Sequence, residues 1–502
     1  MDPRYVIPTR RSLTKIIKKK AAGRREKVKK TLSEVKWLSF TTDGWTSRRM
    51  VGFIAITGHY IDESGHLQTL LMGCDSIAGS ETGEAIAERL HGTFISNGVN
   101  RKIICGVTDS ASNVKAGLRV GGWVRISCFA HAINLIAKEA MNVHLAAIAV
   151  ALKQNRELTK EETGMKSFDD VRRKVRKFVE RLHRSRNAKE EFNRCQKQAR
   201  KDNATTAIEQ EVDTRWNSAY VMLKTFFELK KAVCLFSGTP EGEDFTFPKA
   251  EWDIIEHALE VLEPLYLVTV EMSGEKYVSG SKVIPLTKIL LGGYVRMLAK
   301  YGSQLQEFRY TFAQAVHRGL LHHLSPVEQV DQLGLATLCD PRFKKIAFRD
   351  PERASKAVLN LRSEMALNLA AAANEPIPGP SVNQPIPAPS ASEPIPGPSA
   401  PKQRKPSKAL WDKKKENPLW DLLDTEIRQT QTTDTIEVSV GAEVAKYLKM
   451  PNQPRKSDPL KWWRVTGQYL YPNIWTAAKK YLCIPGTSVP SERGMYISRV
   501  VQ

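Results

Sequence analysis

Between residues 36 and 142 the apolar pattern switches repeatedly between period two and period 3.6. That switching restricts the fold more than any other feature of the chain. Trp37–Thr42 (WLSFTT), Val51–Ile61 (VGFIAITGHYI) and His66–Ser76 (HLQTLLMGCDS) read as strands, the last two joined by the turn-like Asp62-Glu63-Ser64-Gly65. Thr82–Asn97 reads as a helix with Ile86, Leu90, Phe94 and Ile95 on one face. Lys102–Thr108 (KIICGVT) is a continuous apolar run, as a buried central strand would be. A short helix (112–118), a short strand (124–127) and a helix (130–141) follow. Three strands in a meander and then two crossovers predict an α/β fold, a mixed sheet flanked by helices.

At 502 residues the chain is too long for a single core. From about 143 to 371 the pattern is mostly helical; the clearest case is Glu251–Val270, with Pro264 expected to kink or break it. Residues 372–408 form a linker in which [EQ]-P-I-P-[GA]-P-S recurs at nine-residue spacing, from Glu375, Gln384 and Glu393. Such proline density favours extended polyproline II and builds no core. A last compact unit is expected over 409–502. Ser457-Asp458-Pro459 starts one helix, a second follows Pro472, and Ser491-Glu492 opens a third. Adjacent Trp462 and Trp463 give this unit more apolar surface than it can bury alone, so it packs either on the sheet domain or on a second copy.

Charge narrows the partners. Lys and Arg number 76 against 54 Asp and Glu, a net +22. Residues 1–35 form a basic segment, and an amphipathic helix with Val171, Val175, Phe178, Val179 and Leu182 on its inner stripe carries a very basic outer face. That face is either simply solvated or a nucleic-acid contact. No stretch of about 18 uncharged apolar residues is present to suggest a membrane span, and no signal-peptide pattern opens the sequence. The seven cysteines are scattered and never form CxxC, which argues against a disulfide scaffold and against zinc within this chain, and for a reducing compartment.

Two aspartates stand out chemically. Asp43 follows the first strand and Asp109 follows the buried one. If those strands are neighbours, both carboxylates reach one sheet edge, where a cation between them relieves their repulsion. Hard-cation sites for phosphoryl transfer are built this way, with a third carboxylate to complete them; a strand-ending Asp is otherwise a turn or cap residue.

FTTDGWTS, VTDSASN, CFAHAINL, TRWNSAY and YLCIPGTSVPSER occur in the order found in hAT-family DNA transposases. The chain most resembles the cellular proteins derived from them, the zinc finger BED domain-containing type. LEPLYLVTVEMSGEKY and LATLCDPRFKKIAF look like further family segments. The resemblance implies an RNase H-like core beginning at 36–142, a helical insertion over 143–371, and a C-terminal dimerisation region completing the core. It puts Asp43, Asp109 and Glu492 on the metal-binding acidic triad, with Mg²⁺ as cofactor if the site is active. It matches Cys128 and His131 to the family's Cys-x-x-His element, and Arg215-Trp216 to a DNA-end contact. Trp462, Trp463, Tyr481 and Leu482 are the expected dimerisation residues. The sequence shows no BED finger, and it reaches only ten residues past Glu492, short of the family's last helix.

Three functions follow. The expected one is a domesticated, nuclear, DNA-binding homodimer or higher oligomer, possibly regulating transcription, without membrane or small-molecule partners. The others are an active transposase using an Asp-Asp-Glu two-metal site, and a protein-interaction scaffold without DNA.

Overall fold

The computed structural model describes residues 9–47, 50–77, 82–200, 204–273, 278–302, 308–373 and 438–489. One five-stranded sheet comprises β1 (Leu38–Thr46), β2 (Gly52–Ile61), β3 (Leu67–Ile77), β4 (Ile103–Thr108) and β5 (Arg125–Ser127), in the spatial order β3-β2-β1-β4-β5. The first three strands are antiparallel; β4 pairs parallel to β1, and β5 parallel to β4. The two parallel pairings need crossovers, supplied by α2 (Gly83–Ser96) and α3 (Ser112–Val120). This is the mixed α/β sheet that the sequence predicts. Its first strand runs further than expected, through Asp43 to Thr46, because β2 continues to pair with it after β4 has left.

Each sheet face has its own core. Phe40, Ile54, Ile56, Leu90, Phe94 and Leu118 pack under α2 and α3. On the other face Cys105, Val107 and Ile126 merge with the helical core, led by α4 (Phe129–Met141), which packs on α12 (Phe308–His323). The apolar run Phe129–Lys153 is long enough to cross a membrane by composition. It is nevertheless interrupted at His144, whose φ of 65° ends α4 before α5 (Leu145–Lys153) begins. Around α4 lie α6 (Lys160–Arg184), α7 (Arg186–Ala199), α8 (Trp216–Glu228), α9 (Lys230–Phe236), α10 (Lys249–Met272) and α11 (Val283–Tyr301). Pro264 does not break α10; the Tyr294 hydroxyl donates to the Val261 carbonyl, in the turn that the proline perturbs.

The C-terminal part is not a separate unit. It consists of α15 (438–449), α16 (Pro459–Trp462), a π turn (Trp463–Gly467), α17 (Gln468–Leu470) and α18 (Pro472–Tyr481), packed on α13 (Asp331–Cys339) and α14 (Pro351–Ala373). The CDPRFKK stretch after α13 is the socket. Trp463 Nε1 donates to Cys339 O at 3.0 Å, the Tyr447 hydroxyl donates to Leu338 O at 3.1 Å, and buried Lys344 donates to Tyr447 O at 2.7 Å. Asp340, fully buried, is held by Arg342 and by the Ser281 hydroxyl. Isolated short helices of this kind are marginal, so tertiary burial supplies their stability.

Candidate nucleic-acid interface and acidic rim

β1 and β4 are adjacent and parallel, with Thr41 opposite Val107. Asp43 and Asp109 each lie two residues further on. Asp43 is still within β1, on the Thr41 face by strand alternation, and Asp109 is the first residue after β4 ends at Thr108. Both residues are half-buried. Asp109 Oδ1 accepts the Ala111 N–H at 3.1 Å, leading the chain into α3. Arg125 on β5 fixes the loop from the other side, donating to the Asp109 carbonyl at 2.5 Å and to the Thr108 hydroxyl at 3.0 Å. Burial works to lower the Arg125 pKa, while the neighbouring Asp109 charge works against that. The expected third carboxylate, Glu492, lies outside the described residues.

A strap formed by residues 482–488 crosses the same face. The Ser39 hydroxyl donates to Cys483 O at 3.0 Å, Gly280 N donates to Ile484 O at 3.0 Å, and Phe129 N donates to Gly486 O at 3.0 Å. A Cβ on Gly486 would stand 2.3 Å from Met272 Cε and 2.9 Å from Ser279 O, so glycine is required by the close approach. Ser488 N then donates to Cys128 Sγ at 3.3 Å, and Cys128 N donates to Thr108 O at 2.8 Å. Cys128 thus joins the strap to the rim that carries Asp109. His131, three residues on, is half-buried in the first turn of α4.

Trp216 is a core side chain rather than a base-stacking one. It is buried at the start of α8, with its backbone N–H on Asn134 Oδ1 of α4 at 3.1 Å and its ring 6.4 Å from Tyr220. The stacking role expected of it does not fit this burial. Arg215 is exposed beside it, so Arg215 and His131 stand near the first turns of two touching helices.

The two basic segments differ sharply. On α6, Arg172 and Arg173 share the buried carboxylate of Asp169, Lys174 pairs with Glu251 at 2.7 Å, and Arg176 with Asp213 at 2.8 Å. With Lys166 on Asp170, five of the nine Lys and Arg of α6 are thus paired within the fold. The N-terminal segment becomes α1 (Arg10–Glu34), capped by the Thr9 hydroxyl accepting Ser12 N. Its eleven Lys and Arg are all exposed, and among the described residues its one ion pair is Lys29–Glu26 at 3.9 Å. Leu13, Ile16 and Ile17 at i, i+3, i+4 could have signalled this helix from the sequence.

The expected dimerisation residues are also redistributed. Trp463, Tyr481 and Leu482 are buried inside the same chain, and Trp462 is half-buried. Their apolar area is taken up by α13, α14 and α15 and is not offered to a partner. Among the described residues of this C-terminal part, Val438 (73% exposed), Val465 (65%), Tyr469 (76%) and Leu470 are the large apolar side chains left on the surface.

Comparison with known families follows this architecture. Residues 41–120 match the ZBED1 RNase-like domain, 126–261 the ZBED1 RNase-like helical domain, and 443–499 the hAT family C-terminal dimerisation region. A Zea mays protein named as a candidate AC transposase is 23% identical over 366 residues, covering 69% of this chain and 41% of the relative. Human zinc finger BED domain-containing protein 4 is 24% identical over 327 residues, 63% of this chain and 25% of the relative. A Talaromyces stipitatus protein named as a candidate transcriptional regulator, tpeD, is 23% identical over 305 residues, 57% of this chain and 35% of the relative. The chain thus spans well under half the length of these relatives. With RNase-like, RNase-like helical and dimerisation segments in this order, the chain belongs to the hAT transposase-like family.

Proposed function

We propose that this chain is a DNA-binding, self-associating nuclear protein of transposase descent that acts in transcriptional regulation. The observation that carries the proposal is α1. A 25-residue helix with eleven exposed cations and almost no internal neutralisation presents a phosphate-binding surface. Such contacts set affinity and position but not sequence choice. Self-association runs through the exposed Val465, Tyr469 and Leu470 within the matched dimerisation region. The test is binding of the full chain to arbitrary duplex DNA between about 50 and 200 mM salt, where affinity should fall by about 10³ or more. A flat response sinks the reading. Light scattering on Tyr469→Glu beside the unaltered chain tests self-association; a monomer in both, or an oligomer in both, rejects that surface.

A second reading, metal-dependent strand cleavage, is favoured by the positions of Asp43 on β1 and Asp109 directly after β4, two strands that pair in parallel. Paired carboxylates suit a hard cation, and Asp43, Asp109 and Glu492 would hold Mg²⁺, which would activate water and stabilise the leaving oxygen. Plasmid nicking in Mg²⁺ by the full chain, lost in Asp109→Asn, would establish it; equal behaviour of the two proteins rejects it.

A further inference from the structure

A cavity of about 270 Å³ lies where the end of α1, the β2–β3 turn and α18 meet, and neither proposed function uses it. Tyr60 lines it. This residue is only 6% exposed, yet its hydroxyl makes no hydrogen bond to any described residue. Burial raises its pKa, and the charges of Asp62 and Glu34 raise it further. Both also line the cavity, as does the half-buried ring of Trp37.

The walls are fixed before any ligand arrives. The turn is closed by Gly65 N on Asp62 O at 2.8 Å and His66 N on Asp62 Oδ1 at 2.9 Å, with Gly65 at a φ of +76°. Arg464 ties that turn to the C-terminal helices through Gly65 O at 3.3 Å. On the other wall Lys102 Nζ caps α1, donating to Leu32 O at 3.0 Å and Ser33 O at 2.9 Å.

The lining selects a cation. Glu34, Asp62 and Glu63 face it against Lys36 and Lys479, and Lys479 is engaged by Glu63 at 3.3 Å. The cavity is therefore net negative in a chain of net +22. Glu34 has no ion pair among the described residues, and Asp62 Oδ2 accepts from Gln68 Nε2 at 2.7 Å while keeping further lone-pair capacity. An anion would be repelled here, and an apolar ligand would leave the Tyr60 hydroxyl unpaired. Among the described residues no three His, Cys, Asp or Glu side chains converge as metal ligands, so a bare metal ion does not suit it. An ammonium on a thin alkyl stem suits the acidic and phenolic groups together: the Glu34 and Asp62 carboxylates and the Tyr60 oxygen can accept its protons, beside the aromatic side chain of Trp37.

We propose that this cavity binds an alkylammonium group, carried either by a lysine side chain of another protein or by a polyamine. The site is independent of the DNA-binding reading. Calorimetric titration of the full chain with spermidine, with a capped Gly-Lys-Gly peptide, and with its Nε-acetylated form tests the proposal. Spermidine alone binding, the lysine peptide alone binding, or both, identifies the source, provided that Tyr60→Phe and Glu34→Gln each weaken binding about fivefold or more. Glu34 is exposed, so its variant cannot fail merely by unfolding. Absence of binding by both ammonium ligands, equal affinity of both variants, or equal binding of the acetylated peptide overturns the proposal. DNA affinity should be unchanged in Tyr60→Phe, which separates failure here from failure of the DNA-binding reading.

Discussion

Two basic helices of nearly the same length, α1 and α6, have opposite fates. Both are 25 residues long, and both read as positive from the sequence. On α6 an apolar stripe of Phe168, Val171, Val175, Phe178 and Val179 is buried, and five of its nine Lys and Arg are held by acids, either on α6 itself (Asp169, Asp170) or reached through that packing (Glu251, Asp213). On α1 only Leu32 is buried, and the charge remains on the surface. A charge run therefore reports binding only once its counter-ions within the fold are known: on α6 charge sustains the structure, and on α1 it is left for a partner.

The sharpest way to break this contrast is a matched pair of charge replacements. Lys18, Lys19, Lys20, Arg24 and Arg25 all changed to Gln should lower DNA affinity about a thousandfold near 0.15 M salt and reduce the log–log salt slope by about 4. Changing Arg172, Arg173, Lys174 and Arg176 to Gln should alter DNA affinity by less than about threefold. Equal losses for the two sets, by fluorescence anisotropy, would erase the distinction.

Stability should behave in reverse. Asp169→Ala strands the mostly buried Arg172 and should cost about 2 kcal/mol in urea unfolding, whereas Glu26→Ala on α1 should stay within about 0.5 kcal/mol. A costly Glu26→Ala would mean that α1 is packed after all.

Acid separates the two regions by a different route. His59 is buried on β2 between the Thr41 and Thr69 hydroxyls, and burial pushes its pKa down to about 3. Its folded value lies below the unfolded 6.5, so stability is complete above pH 6.5 and falls as the pH drops from there towards 3. At pH 5 the loss should be about 2 kcal/mol. The lysines and arginines of α1 do not titrate there, so DNA binding by the folded fraction should keep its salt slope. A stability curve flat from pH 7 to 5 would contradict this placement of His59.

The smallest effect concerns the caps. Thr159 and Glu162 form a reciprocal capping box at the start of α6, so Thr159→Ala should cost about 1 kcal/mol of global stability. Thr9→Ala, at the start of α1, should fray that helix in circular dichroism without moving the unfolding midpoint.

The sheet was legible because its signals are local. Alternation in VGFIAITGHYI and the apolar run KIICGVT each act within a few residues, and the strand ends fall within one or two positions of expectation except at the end of β1, which runs four residues further, to Thr46. That the strands carrying Asp43 and preceding Asp109 are neighbours was expected from the chain order, and the sheet pairs them in parallel. What was hidden depends on distant partners. Nothing near Arg172 or Lys174 announces Glu211 or Glu251, and nothing in KWWRV says that Trp463 will bond to Cys339. The tryptophan pair announced apolar area in need of cover, but the expected covers were the sheet domain or a second copy, whereas Trp463 is received by the helical region at Cys339, more than 100 residues away. Trp216 shows the same limit, since its burial depends on Asn134 and α4.

The strap across the sheet sets a timetable. Ser39 finds its acceptor on Cys483, 444 positions later. At a synthesis rate of about 5–20 residues per second, β1 waits roughly a minute in the nascent polypeptide for that partner. Until then the strap cannot cover this face, so the sheet's contacts with residues 482–488 are among the last of those described to form.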